Sequence, residues 1–161
     1  MPHFKAAYNL ARYLSGNDDD AADLVQDSCL KAFKFYDGFR GDNGRAWLLT
    51  IVRNTFYSDL RQKKNKGAEC EFKEDLHNVE ISGTTPETLV INAENIKLVR
   101  DMLEKLPVEF REVVILREME GFSYKEISEI VNVPIGTVMS RLARGRKALL
   151  KALINKNFDR D

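Results

Sequence analysis

Two cysteines, two histidines and four prolines are all that 161 residues hold of the types that bind metals, react or break helices. Cys29 and Cys70 stand apart with no CxxC pair, and His3 and His77 are equally isolated. A zinc site is not expected, and Cys29 reads as a core thiol. No apolar run approaches the roughly 18 residues of a membrane span, nothing near Met1 has the apolar core of a signal peptide, and the reading is cytoplasmic with no membrane insertion. Glycine-rich phosphate loops, paired His and carboxylate groups and nucleophile motifs are also missing, which points to a binding protein without cofactors rather than an enzyme. Nor is there charge of one sign in excess, since 25 Lys and Arg balance 25 Asp and Glu. Nucleic-acid binding therefore has to be argued from where the charges lie.

The distribution is uneven. Acids concentrate at Asp18 to Asp20, Glu69 to Glu80 and Glu109 to Glu129, leaving basic islands at Arg45 to Lys66 and Arg141 to Lys156. A composition of 43% hydrophobic and 31% charged residues, with few Gly or Pro, is that of a soluble helical protein. Neither strands nor an internal repeat can be read from the pattern. It predicts an all-α chain of two small helical bundles, with a polar and acidic stretch, Gly67 to Thr85, as a flexible linker between 1–66 and 86–161.

Phe122 to Lys151 organises the rest. Ser123 and Glu126 form a capping-box pattern that starts a helix with Ile127, Ile130 and Val131 inward. Asn132 and Val133 end it, and Pro134 suits the first turn of the next helix. In that helix Ile135, Val138, Leu142, Gly145 and Leu149 fall on one side, and Thr137, Ser140, Arg141, Arg144 and Lys151 on another. No Asp or Glu occurs between Asn132 and Phe158, and a cation-only helix favours phosphate and major-groove contact over a merely solvated face.

Upstream, Phe4, Tyr8, Ala11 and Leu14 give a first helix that ends at Gly16 and Asn17. A second runs from Asp18 to about Tyr36, with Leu24, Val25, Cys29, Ala32, Phe33 and Tyr36 inward and Asp23, Gln26 and Asp27 outward. Phe39 to Gly44 is a loop. A third helix covers about Arg45 to Lys64, with Trp47, Leu48, Ile51, Val52, Thr55 and Leu60 able to pack. Its Arg53, Asn54, Tyr57 and Arg61, beside a polar loop, have the mix of cations and aromatics that holds single-stranded nucleic acid, although a solubilising basic end would look similar. Pro86, capped by Thr85, begins the next helix, and Pro107 starts another in which Phe110, Val113, Val114, Leu116 and Met119 pack before Gly121 closes it.

The segments DAADLVQDSCLKAF, FRGDNGRAWLLTIVRN and LPVEFREVVILREMEGFSYKEISEIVNVPIGTVMSRLARGRKAL occur in that order across nearly the whole chain. Together they resemble bacterial RNA polymerase sigma factors of the sigma-70 family, extracytoplasmic-function (ECF) subgroup. The resemblance implies a core-polymerase face at Asp23, Leu24, Gln26 and Asp27. It implies −10 DNA contacts at Arg40, Asp42, Asn43, Trp47, Arg53, Asn54, Tyr57 and Arg61, with the Arg40 to Gly44 loop capturing a flipped base. It places −35 DNA contacts at Thr137, Ser140, Arg141, Arg144 and Arg146. Partners would be core RNA polymerase, promoter DNA and an anti-sigma factor, and the function would be promoter recognition and DNA opening at initiation. Many relatives carry Lys or Arg where this chain has Met139, which exchanges a polar contact for an apolar one suited to a thymine methyl. Two other readings stay open at this point: a helix-turn-helix regulator acting without polymerase, and a sigma-like decoy for an anti-sigma factor.

Overall fold

The structure, a computed structural model, describes residues 3–39, 41, 43–65 and 93–159, with 65, 93–96 and 156–159 described as backbone only. Seven α-helices account for most of these residues: α1 Phe4–Ser15, α2 Asp18–Lys34, α3 Gly44–Asn65, α4 Ala93–Lys105, α5 Val108–Val114, α6 Tyr124–Val131 and α7 Ile135–Asp159. No strand is present among the described residues. The helix start at Pro86 and its Thr85 cap lie outside them.

Local chemistry sets most boundaries. Gly16, at φ +87°, takes the left-handed turn that stops α1 and returns its N–H to Arg12 O. Asn17 caps α2: its side chain accepts from Asp20 N at 2.8 Å, and Asp18 to Asp20 face the helix dipole in the first turn. α2 ends at Lys34, and Tyr36–Gly38 form a single 3-10 turn. Asn43 caps α3, accepting from Ala46 N at 3.0 Å. After α5 the chain widens into a π turn over Ile115–Met119, with Glu120 N bonding Ile115 O at 3.1 Å, five residues back.

Helices α1, α2 and α3 pack on one another, and α5 and α6 both pack on α7. The two units then pack together, α3 against α6 and α1 against α4 and α5. That second layer of contacts explains where periodicity alone misassigns burial. Ala6, Ala7, Leu10 and Tyr13 are buried on α1 because it is covered on more than one side, whereas Phe4, expected inside, is half exposed. On α2, Leu24, Val25 and Ala32 are buried, Cys29 is only half-buried, and Phe33, at the edge of the apolar face in the last turn, and Tyr36, past the helix end, face solvent at 88% and 66%. The π turn slips the face of the following residues, so Ile115 and Leu116 are buried and Met119 points out.

Gly145 lets α7 lie close against α5. A Cβ there would stand 2.7 Å from Val114 Cγ2 and 3.5 Å from Phe110 O. Val114 is buried and β-branched, with no free rotamer to yield. Overpacking costs about 1–3 kcal/mol, against which alanine recovers about 1 kcal/mol of helix propensity. Gly145→Ala is expected to lower stability by about 1 kcal/mol, and Gly145→Val by more. Urea unfolding checks this, and a stabilised alanine variant would show that the two helices can part.

Candidate nucleic-acid interface

The helix-turn-helix is built by local bonds. Ser123 Oγ accepts from Glu126 N at 3.1 Å and Ser123 N donates to Glu126 Oε1 at 3.0 Å, which is the expected capping box at the start of α6. Asn132, at φ 56°, makes the left-handed turn that ends α6, and its side chain tolerates it better than most. Pro134 O then receives Thr137 N and Val138 N at 3.0 and 3.1 Å, fixing the first turn of α7.

Along α7 the inner stripe is Val138, Leu142, Gly145 and Leu149, all buried, while Ile135, in the first turn, stands 44% exposed beyond the bundle. Opposite that stripe lie Ser140, Arg144, Lys147 and Lys151, all exposed. Thr137 and Arg141 flank them, half-buried. Four of the five residues expected at −35 thus share one surface. Arg146 does not: it lies on the other flank with Met139, and its guanidinium binds the Glu118 carboxylate at 2.6 and 2.5 Å. Lys147 belongs to the cationic surface instead, a residue that spacing from Ser140 and Arg144 was sufficient to find.

On α3 the geometry is less expected. Arg45, Leu49, Arg53 and Tyr57 are spaced four apart and form a stripe turned toward the second unit. Arg53 donates through Nε and Nη2 to both oxygens of Glu112, at 2.9 and 3.3 Å, and stacks 4.4 Å from the Tyr57 ring. Glu112 is fully buried. Burial pushes its carboxyl above the usual range, outweighing the opposing pull of Arg53, Arg141 and the Tyr57 hydroxyl. Tyr57 is likewise pushed up, first by burial and then by the Glu112 charge. Arg45 pairs with Glu120 at 3.4 Å and lies 4.3 Å over the Phe122 ring, and Asn43 Nδ2 donates to Glu126 at 2.6 Å. Neither Glu112 nor Arg45 stood out in the sequence, although an acid within the apolar run from Phe110 to Leu116 was a visible signal.

Asn54 and Arg61 remain exposed, and with Arg53 and Tyr57 they line a cleft of about 670 Å³ along α3. Trp47 is half-buried and packs against Phe39 at 4.8 Å and Tyr36 at 6.5 Å, beside the loop. Arg40 and Asp42 lie outside the described residues. On α2, Asp23, Gln26 and Asp27 form an exposed polar face, but Leu24 is 5% exposed and belongs to the core. It nonetheless lines a cleft with Asp23 and Asp27, so the four residues of the implied polymerase face lie together.

An all-helical chain with a helix-turn-helix, an outward cationic helix and a second cationic helix on a separate unit is of the DNA-binding class. Comparison with known proteins narrows it. The family described as Sigma-70 region 2 matches residues 1–66, and Sigma-70, region 4 matches residues 96–149. The ECF RNA polymerase sigma-E factor of Haemophilus influenzae is 37% identical over 153 residues, spanning 90% of this chain and 79% of the relative. That of Escherichia coli K12 is 34% identical over 152 residues, spanning 90% and 78%. Among solved structures, the sigma factor RpoE of Bartonella quintana, in complex with the anti-sigma factor NepR, superposes with a TM-score of 0.73 at 34% identity, covering 93% of this chain and 91% of the other. The chain belongs to the ECF subgroup of the sigma-70 family of RNA polymerase sigma factors. No helix among the described residues is long and apolar enough to cross a membrane.

Proposed function

We propose that this chain binds core RNA polymerase in the cytoplasm, gives it promoter specificity and helps open the duplex, with residues 1–66 serving the polymerase and the −10 element, 67–85 as linker and 86–161 serving the −35 element. The observation that carries the reading is the pairing, in one chain, of a duplex-reading helix at α7 with a strand-type surface of cations, amide and aromatic on α3. Thr137, Ser140, Arg141 and Arg144 read or clamp the −35 duplex, Lys147 adds phosphate contact, and Met139 offers an apolar surface to a thymine methyl. Asn43, Trp47, Arg53, Asn54, Tyr57 and Arg61, with the loop at Arg40 and Asp42, handle the opened strand. Asp23, Leu24, Gln26 and Asp27 dock on polymerase. An anti-sigma factor is the expected regulator, on the precedent of the Bartonella quintana complex.

Run-off transcription with purified core enzyme tests this directly. Transcripts that depend on the added chain support it. A chain that footprints DNA alone and adds nothing to core would be an ordinary regulator, and one that binds neither would be a decoy. Asp27→Ala is expected to weaken core association at least about tenfold, the size of an interface hot spot, while leaving helix content unchanged. A pull-down with core, run beside circular dichroism, reads both.

A further inference from the structure

Alanine is the better helix former, so a glycine inside a helix needs a reason in what a side chain there would disturb. For Gly145 the reason is internal, since Val114 and Phe110 leave no room for a Cβ. Gly136 has no such reason. It is the second residue of α7, it is exposed, and a Cβ built on it meets nothing of the chain within 4 Å. Nor does it make the left-handed turn for which Gly16 is needed. The bare backbone at this point does not serve the fold, and what it leaves room for lies outside the chain. Its surroundings say what that is. Ile135 precedes it, Met139 and Ser140 lie one turn further on, and all are exposed. Side chains of a helix lean toward its N-terminus, so Met139 and Ser140 lean back over the level of residue 136, at the end of a recognition helix that meets base edges.

We propose that Gly136 sets how deeply α7 enters the major groove: with no side chain there, the first turn comes up to the base edges and lets Met139 and Ser140 reach them. The proposal rests on the reading of α7 as the −35 helix and adds the residue that fixes its depth. Ser140 carries its hydroxyl directly on Cβ, so it can bond a base only where the helix backbone lies close. Arg144 and Lys147 are long and flexible, and they keep their phosphates even if the helix stands further out. A side chain at 136 would hold the first turn off the groove floor. Sequence discrimination would then fall while the electrostatic clamp persists, because base edges specify and phosphates only position.

The test uses the chain reconstituted with core polymerase, a duplex whose −35 sequence has been selected from a randomised pool, and the same duplex with that sequence scrambled. Gly136→Ala is expected to lower the ratio of the two affinities about tenfold, the size of one lost base contact, and Gly136→Leu to lower it further. The slope of log affinity against log salt should stay that of the unsubstituted chain, since no phosphate contact is lost. Met139→Ala should lower the ratio by itself but add little in the Gly136→Leu background, where that side chain is already held away. Thermal unfolding of the free Gly136→Ala chain should come no earlier than that of the unsubstituted one. Retained discrimination in both glycine variants overturns the proposal. A destabilised alanine variant overturns it too, because the glycine would then serve the fold. Arg144→Ala in the same assay keeps this proposal apart from the reading beneath it. If that variant also leaves promoter affinity untouched, the fault lies with α7 as the −35 helix; if it weakens binding while the glycine variants do not, only the role of Gly136 falls.

Discussion

Replacing Arg111 by methionine is expected to remove about 3–5 kcal/mol of stability, a large share of the 5–15 kcal/mol that a folded domain has. Arg111 is half-buried and its guanidinium donates to Leu103 O, Tyr13 O, Glu104 O and Leu106 O at 2.8 to 2.9 Å, with a longer bond to Leu14 O at 3.3 Å. Tyr13, Leu14, Leu103 and Glu104 lie in the last turns of α1 and α4, and Leu106 one residue past α4; of the five carbonyls Leu103 O also accepts from Leu106 N, at 3.1 Å. Both helices also direct the negative ends of their dipoles at the same point, so the cation is held by dipoles more than by an ion pair. Burial still pulls its pKa below the usual arginine value, with Glu104 opposing, but arginine stays charged at neutral pH. Methionine would match the stem and leave these acceptors dry. Arg111→Lys should recover part of the loss, since an ammonium has three donors and no planar fork to reach five carbonyls. Urea unfolding followed by circular dichroism measures both, and a loss under about 1 kcal/mol for the methionine variant would mean that water replaces the guanidinium at little cost.

Arg111 also marks the limit of what the sequence could reveal. The helix-turn-helix was legible because its signals are local: Ser123 and Glu126 cap each other across three residues, Asn132 turns the chain, and the α7 stripe from Val138 to Leu149 keeps helical spacing. The first helix end at Gly16 was legible for the same reason. Leu49 and Glu112 were not, because they lie where α3 meets the second unit, which no single-helix period encodes, and Ile115 was not because the π turn shifts its face. Phe33 and Tyr36 erred in the opposite sense: Phe33 sits at the edge of the covered face of α2 and Tyr36 past its end, and both face solvent. On the candidate site, the sequence named the outward cations of α7 and the polar face of α2. It could not say that Arg146 turns back to Glu118 or that Arg53 already holds a carboxylate.

Arg144→Ala combined with Arg141→Ala should cost the polymerase-bound chain about 2–6 kcal/mol of promoter affinity, the sum of two contacts worth about 1–3 kcal/mol each. Arg144 should account for more of it. It is fully outward on α7, beside Ser140, and nothing in its own unit needs to be given up before it meets DNA. Arg141 is half-buried, and part of its field falls on the Glu112 carboxylate, so its loss should also push that carboxyl further up. The way binding fails separates the two kinds of contact. A lost phosphate contact lowers the slope of log affinity against log salt by about 0.9 and weakens all sequences alike. A lost base contact leaves the slope alone and erases discrimination at one position. Promoter duplex selected from a randomised pool, titrated with the reconstituted enzyme at several salt concentrations, distinguishes them. Arg146→Ala serves as the contrast: that side chain lies on the opposite flank and already holds Glu118, so the effect should be smaller than for either of the others. Were it instead the most damaging of the three, the surface of α7 that meets the groove would be centred on Met139 rather than on Arg144.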